Sequence, residues 1–274
     1  MLSFAEISGL LDLPPLRTAD RTVLHRHGEV PGRDYLGPRT VTLTIEIQAD
    51  TDHQFAQALD SVAGAFSPTL PDAPFTFRFP GVAGGGVRFV TARVRRRSAP
   101  IDVAYAHRLA HVTVELYCAQ PMIFDPVTLT AAVTLPNADA PAGGVAMPWR
   151  FPVRFGTPAN LGVIRVDNAG NFATYPRFRI SGPVVDPQII NLSDGSQITF
   201  RCVLLAGAWL DIDCFTHQVL LNSVAPRFLT PGLEDAWPEC LPGTTEFAFR
   251  GFRLDAGPAG DGAELSCSWA SAWV

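Results

Sequence analysis

The chain has 274 residues, 47% of them hydrophobic and only 17% charged, with a formal net charge of −5. Its length fits one large or two medium domains. The acidic balance argues against a non-specific nucleic-acid binder, which carries a basic face, and no apolar run approaches the roughly 18–20 residues a membrane helix needs.

A typical soluble domain is about 25% charged. Two readings of the deficit stand side by side: surface buried in an assembly, because interface centres are depleted of charge, or an all-β protein rich in Thr, Ser and Pro. All 21 basic residues are Arg, which reads as coding bias rather than chemistry. The N-terminus shows no basic segment followed by an apolar run, so the expectation is a protein made and used in the cytosol, or leaving it by a route other than secretion. Five cysteines, Cys118, Cys202, Cys214, Cys240 and Cys267, are irregularly spaced with no C-x-x-C pair. They are expected as free buried thiols, with no structural zinc.

In chain order, Phe4, Ile7, Leu10, Leu11 and Leu13 give an apolar start that Pro14-Pro15 breaks. Val23 and Leu24 read as a short strand, and the polar, Gly-rich stretch from Arg26 to Pro38 as a long loop or arm. Val41, Leu43, Ile45 and Ile47 then alternate with Thr and Glu, which predicts a half-buried strand. One helix follows: Thr51 and Gln54 form a capping box, Phe55, Ala58, Leu59, Val62 and Phe66 share one side, and Pro68 stops it.

Further strands are expected at residues 76–79, 87–97, 109–118 and 127–135, with the Gly84-Gly85-Gly86 run as a hairpin tip. It is not a phosphate loop, since no Lys-Ser/Thr follows. The small, Pro/Gly-rich stretch from Asn137 to Gly144 marks a domain boundary, giving domains 1–146 and 147–274. The second half reads as short strands at 150–155, 162–167, 177–181, 188–192, 197–205, 209–213, 218–221 and 245–252. Asp194-Gly195 is a tight-hairpin signal. The chain closes on alternating Leu265, Cys267, Trp269, Ser271 and Trp273. The fold class is all-β with one helix, a barrel-like first half and a sandwich second half.

Candidate chemistry is sparse. Asp211 and Asp213 share one side of a strand, and a carboxylate pair serves glycoside hydrolysis or calcium binding; a polar outer face is the simpler reading. His107 and His111 would bind zinc only on a helix, and His111 leads into a strand. His25 and His27 have no third ligand nearby, and no G-x-S-x-G elbow exists. Arg93, Arg95 and Arg97 alternate along one strand, either as a solvated face or as partners of an acidic neighbour in an assembly. The expectation is a non-enzyme without cofactor or metal. Trp209 and Trp237 are the aromatics a sugar-binding sandwich would use.

The ordered set of motifs resembles the distal tail protein (Dit) family of long-tailed, non-contractile bacteriophages. In the first half it runs through His27-Gly28, Gly32-Arg33-Asp34-Tyr35, Arg39 to Leu43, the helix ending near Phe66, Arg88 to Val94, and Val112 to Tyr117 with Gln120-Pro121. In the second half it runs through Val166-Asp167-Asn168-Ala169-Gly170-Asn171, Pro176 to Pro183, Leu210 to Asp213, and Ser271-Ala272-Trp273. The Ala-rich linker and the Pro/Gly-rich segment after Leu229 have no counterpart in that pattern. The resemblance implies an N-terminal split β-barrel with an arm and a C-terminal galectin-like β-sandwich. It also implies a structural tail-tip hub: a hexameric ring in the virion, assembled in the host cytoplasm, joining the tail tube protein to a tail-fibre or tail-associated protein. Arg33, Asp34, Tyr35, Arg39, Arg93, Arg95 and Arg97 are the candidate subunit or partner contacts. The alternative is a carbohydrate- or receptor-binding sandwich module of a phage tail.

Overall fold

The computed structural model describes residues 2–69, 71–79, 85–136, 160–226, 236–254 and 262–274. The chain forms two compact units, Met1–Pro126 with Val274, and Val127–Trp273. The architecture is all-β with one helix, as the patterning predicts.

The first unit begins with β1 (Leu2–Ser8). Next come four two-residue strands, β2 (Leu16–Arg17), β3 (Arg21–Thr22), β4 (Glu29–Val30) and β5 (Tyr35–Leu36). β2 pairs β5 and β3 pairs β4, so residues 16–36 form one two-stranded ribbon. Gly37 N–H closes its base on Pro15 O at 2.6 Å, and Gly32 N–H meets Asp20 Oδ1 at 2.9 Å midway. Gly32 is required there: a Cβ would lie 2.2 Å from Ala19 O. The expected arm at 26–38 is therefore the returning half of this ribbon. Val23 and Leu24 are not a strand; they start the ribbon's turn, where the pairing ends and Leu24 is exposed.

β6 (Arg39–Gln48) carries the predicted alternation, and Val41, Leu43, Ile45 and Ile47 are all buried. It is followed by α1 (Asp52–Ala65), β7 (Ala73–Phe77), β8 (Arg88–Ser98), a short 3₁₀ turn at Val103–His107, β9 (Leu109–Cys118) and β10 (Ile123–Phe124). The β6–β9 register sets Val41 against Leu116, Leu43 against Val114 and Ile45 against Val112. These facing β-branched and Leu rows are the unit's core. Thr51 Oγ accepts the Gln54 N–H at 3.3 Å and caps α1, which buries Phe55 and Val62. β1 pairs only β6, and β7 only β8, so among the described residues the sheet has open edges and does not close into a barrel.

The second unit opens with β11 (Leu129–Thr134), which pairs β21 (Glu264–Trp269) residue for residue. That pairing draws β11 into the second unit and puts the division at Pro126/Val127, ahead of the expected 146/147. The expected linker at 137–144 and strand at 150–155 lie outside the described residues, as does Gly84 of the expected hairpin tip.

The intervening strands are β12 (Val163–Asn168), β13 (Arg177–Ser181), β14 (Val184–Asn191), β15 (Gln197–Thr199), β16 (Val203–Leu204), β17 (Trp209–Asp213), β18 (Gln218–Leu221), β19 (Ala225–Pro226) and β20 (Gly243–Phe252). They make two antiparallel sheets, β11-β21-β13-β17-β18-β19 and β12-β20-β14-β15 with β16 added to β14. Phe178, Ile180, Leu210, Ile212 and Leu265 of one sheet meet Ile164, Val166, Ile189, Phe247 and Phe249 of the other in a single core. Phe178 and Phe247 touch edge to face at 5.2 Å.

The strand expected at 197–205 is broken into β15 and β16. On its partner β14, Val184–Val185 pair β16 and Gln188–Ile190 pair β15, and between the two stretches Pro187 has no N–H to offer. The hairpin at Asp194-Gly195 forms as expected, with Gly195 at φ +76°.

Candidate functional site

Arg33, Asp34 and Tyr35 lie exposed on the returning half of the ribbon, with the Arg33 guanidinium 5.3 Å from the Tyr35 ring centre. They are available to a partner. Arg39 is not. It opens β6 and is 1% exposed. Its Nε donates to Pro121 O at 2.8 Å, and its Nη1 to Leu10 O at 2.7 Å, Asp12 O at 2.6 Å and Gly9 O at 3.1 Å. Arg39 is an internal tie between the β1–β2 connection and the β9–β10 connection, which removes it from the contact set.

The basic stripe on β8 does not keep one face. The β8–β9 register shifts between Val94 and Arg96, so Arg95 is the extra residue of a bulge. Arg93 stays opposite Tyr117 and holds Asp72 in an ion pair at 2.5 Å. Arg95 lies 3.4 Å over the Tyr117 ring. Arg97 is turned to the Val114 side, where its guanidinium donates to Ala63 O and to Phe66 O at the C-terminus of α1. A cation there satisfies carbonyls that the helix leaves open.

A surface that the sequence did not mark is β1. It is an edge strand, and Phe4 is 63% exposed. An apolar hollow of about 280 Å³ lies beside it, lined by Phe4, Ile45, Val62, Ala65 and Phe66. A second of about 550 Å³ runs along Phe4–Asp12 and Phe79. The only sequence signal was the apolar start of the chain, Phe4 to Leu13.

Asp211 and Asp213 do share the outer face of β17, as their spacing predicts. Each faces an Arg across the β13–β17 ladder: Arg179 Nε to Asp211 Oδ1 at 2.6 Å, and Arg177 Nε to Asp213 Oδ2 at 3.1 Å. Asp211 Oδ2 also accepts from Ser223 Oγ at 2.5 Å and Trp209 Nε1 at 3.2 Å. Burial alone would raise the Asp211 pKa, but the bonds from Arg179 and Ser223, the Arg179 charge and the Trp209 bond together hold it below the usual carboxylate range. A glycosidase acid needs the opposite shift.

This carboxylate yields a pH prediction. A depressed folded pKa means that the stabilisation is present above the unfolded value, about 3.9, and is lost as pH falls through the folded one. With Asp211 partly exposed, it is worth about 1 kcal/mol. Urea midpoints measured from neutral to acid pH should fall less steeply for Asp211→Asn than for the parent chain.

The histidines gather no ligand set. His107 ends the 3₁₀ turn, and His111 Nε2 sits 3.6 Å from a Glu46 carboxylate oxygen. His25 lies in the ribbon's turn at φ +60°. Among the described residues no cluster of three His, Cys, Asp or Glu is placed to hold a metal ion. None of the five cysteines is in a disulfide, and four are buried. Burial pushes the Cys118 thiol up to about 11 and Cys240 to about 12, so both are protonated and inert at neutral pH. Trp237 stacks on His217 with ring centres 4.5 Å apart. No described helix is long and apolar enough to cross a membrane.

No protein-family model matches the chain, and no curated protein matches its sequence. Solved structures do match. The crystal structure of the Dit protein of phage SPP1, called a paradigm of the hub adsorption apparatus in phages infecting Gram-positive bacteria, aligns with a TM-score of 0.61 at 13% identity. The alignment covers 100% of this chain and 94% of that one. A chain of the phage P2 baseplate, in its activated conformation with Ca, aligns at a TM-score of 0.46 and 10% identity over 97% and 90% of the two chains. Across its whole length, the chain has the fold of the SPP1 Dit hub protein.

Proposed function

We propose that the protein is a structural hub of a phage tail tip, a distal tail protein, and not an enzyme. On this reading it forms a ring, a hexamer by analogy with the Dit family, through its first unit. The ring joins the tail tube protein on one side to a tail-fibre or tail-associated protein on the other, in the virion after assembly in the host cytoplasm. The full-length match to the SPP1 Dit fold supports the identity. The observation that carries the ring is β1. An edge strand that leaves Phe4 exposed between two hollows is a poor outer surface for a lone molecule and a good one for a neighbour to cover. The unit's other open strand, β7, is a different surface, and two unlike surfaces are what a head-to-tail ring uses. Arg33, Asp34 and Tyr35 of the ribbon, with Arg93 and Arg95, remain the polar contacts proposed around that interface.

Native mass spectrometry and negative-stain imaging test this. The parent chain should form rings, alone or with its tail tube protein. Phe4→Glu should weaken each contact by about 2 kcal/mol, about thirtyfold, and shift the population to folded monomers. A chain that stays monomeric under both conditions rules the ring out.

A further inference from the structure

The ribbon at 16–36 packs on little of its own unit. Every residue from 16 to 35 is exposed except half-buried Val23, and β2 to β5 join no other sheet. A lone two-stranded ribbon is marginally stable in water, so one that leaves Leu24 82% and Val30 54% exposed calls for a second surface. Its root is fixed: the Arg39 bonds to Gly9, Leu10 and Asp12 hold the chain between β1 and the ribbon. The ribbon therefore leaves the body beside the β1 edge, where the next copy sits in the ring.

The ribbon has two unlike sides. Arg17 opposite Tyr35 and Arg21 opposite Val30, with Arg33 over the Tyr35 ring, put arginines on one side. Glu29 opposite Thr22, and Asp20 and Asp34 by the same alternation, put carboxylates on the other. None of these three carboxylates is in an ion pair among the described residues. The same holds for Arg95 and Arg96, exposed on β8; Arg96 faces Glu115 across the ladder without closing a salt bridge. β8 carries β7, the open strand on the far side of the sheet from β1.

We propose that the acidic side of the ribbon lies on β8 of the next copy, setting Glu29 and Asp34 against Arg95 and Arg96. In a head-to-tail ring the β1 edge of one copy meets the far side of its neighbour. Strands rise about 3.3 Å per residue and lie about 4.8 Å apart, so a ribbon about nine residues long reaches about 30 Å, twice the roughly 15 Å needed to cross three strands. The reverse docking would set arginine on arginine, and like charges across a contact are strongly disfavoured. The inference rests on the ring reading above and names the surface that each ribbon covers.

Sedimentation velocity of the full chain over a concentration series, alone and with its tail tube protein, reads the ring contact. Glu29→Arg with Asp34→Arg should weaken it about tenfold or more, and so should Arg95→Glu with Arg96→Glu. All four changes in one chain restore opposite signs and should bring the affinity back to within about threefold of the parent. Circular dichroism and unchanged hydrogen exchange at β6 would confirm a folded first unit in each variant. Rings that form as in the parent with either pair reversed overturn the inference and leave the ring reading intact. So does weakening that the fourfold change fails to repair, or a loss confined to recruitment of the tube protein, which would assign the ribbon to that partner. A parent chain that forms no ring under either condition removes the ring reading and this inference together.

Discussion

Arg39→Ala is expected to destabilise the first unit by about 3–5 kcal/mol, the range seen when one partner of a buried charged network is removed. The side chain supplies four hydrogen bonds to backbone carbonyls of residues 9, 10, 12 and 121. Each carbonyl left without a donor costs about 1–3 kcal/mol where it stays dry. Part of this is returned, because burying a guanidinium is itself costly; desolvation lowers its pKa by more than the neighbouring Cys118 and Asp12 raise it. Arg39→Lys should fall between the two, since an ammonium has no planar fork to span carbonyls from two separate connections. Fluorescence cannot follow this loss: all five tryptophans lie after residue 126. Hydrogen exchange can. Amides of β6 and β9 should exchange faster in Arg39→Ala while those of β13 and β17 hold their rates. Unchanged protection in β6 would mean that the tie is dispensable.

Arg39 also shows where sequence reading stops. β6, β9, β13, β17 and β18 were legible, because strict alternation of apolar and polar residues leaves one buried face and therefore one register. The helix was legible from Thr51 and its apolar stripe. An arginine at the head of an alternating strand, however, reads as surface by default. Its burial depends on carbonyls some thirty and eighty residues away, which no local pattern encodes. The β8 bulge is similar: Arg93, Arg95 and Arg97 alternate in sequence, and only the partner strand reveals that one residue is extra. The domain boundary was placed at the most Pro/Gly-rich stretch, whereas the division follows the pairing of β11 with β21. The candidate site divided the same way. The Asp211/Asp213 pair was visible from spacing, but the arginines that neutralise it sit on β13 and were visible only through register.

The second large effect is expected at Asn168, where two stretches of the Dit-like pattern meet. Asn168 is 2% exposed. Its Nδ2 donates to Phe172 O at 2.8 Å and Cys240 O at 3.0 Å, and its Oδ1 accepts from Gly170 N at 3.0 Å and Ala272 N at 3.3 Å. Around it, Ala169 N–H donates to Ser271 Oγ at 3.0 Å and Trp269 Nε1 to Asp167 O at 3.0 Å. The turn after β12 is thereby stitched to the chain's last residues, which gives the 166–171 and 271–273 motifs one shared physical cause. Asn168→Ala should cost about 3–4 kcal/mol, near 1 kcal/mol for each bond lost. Asn168→Asp keeps the acceptor but points a carboxylate at two carbonyls, so it should cost more at neutral pH. Burial there raises the new carboxyl's folded pKa, so its stability should recover as pH falls and the group can donate again. Gly170→Ala provides a third arm, since its Cβ would stand 1.7 Å from Ala272 O. Tryptophan fluorescence in urea reads all three, because Trp209 and Trp269 lie in this unit. If Asn168→Ala and Gly170→Ala both left the midpoint unchanged, the C-terminal segment would not be held by this clasp.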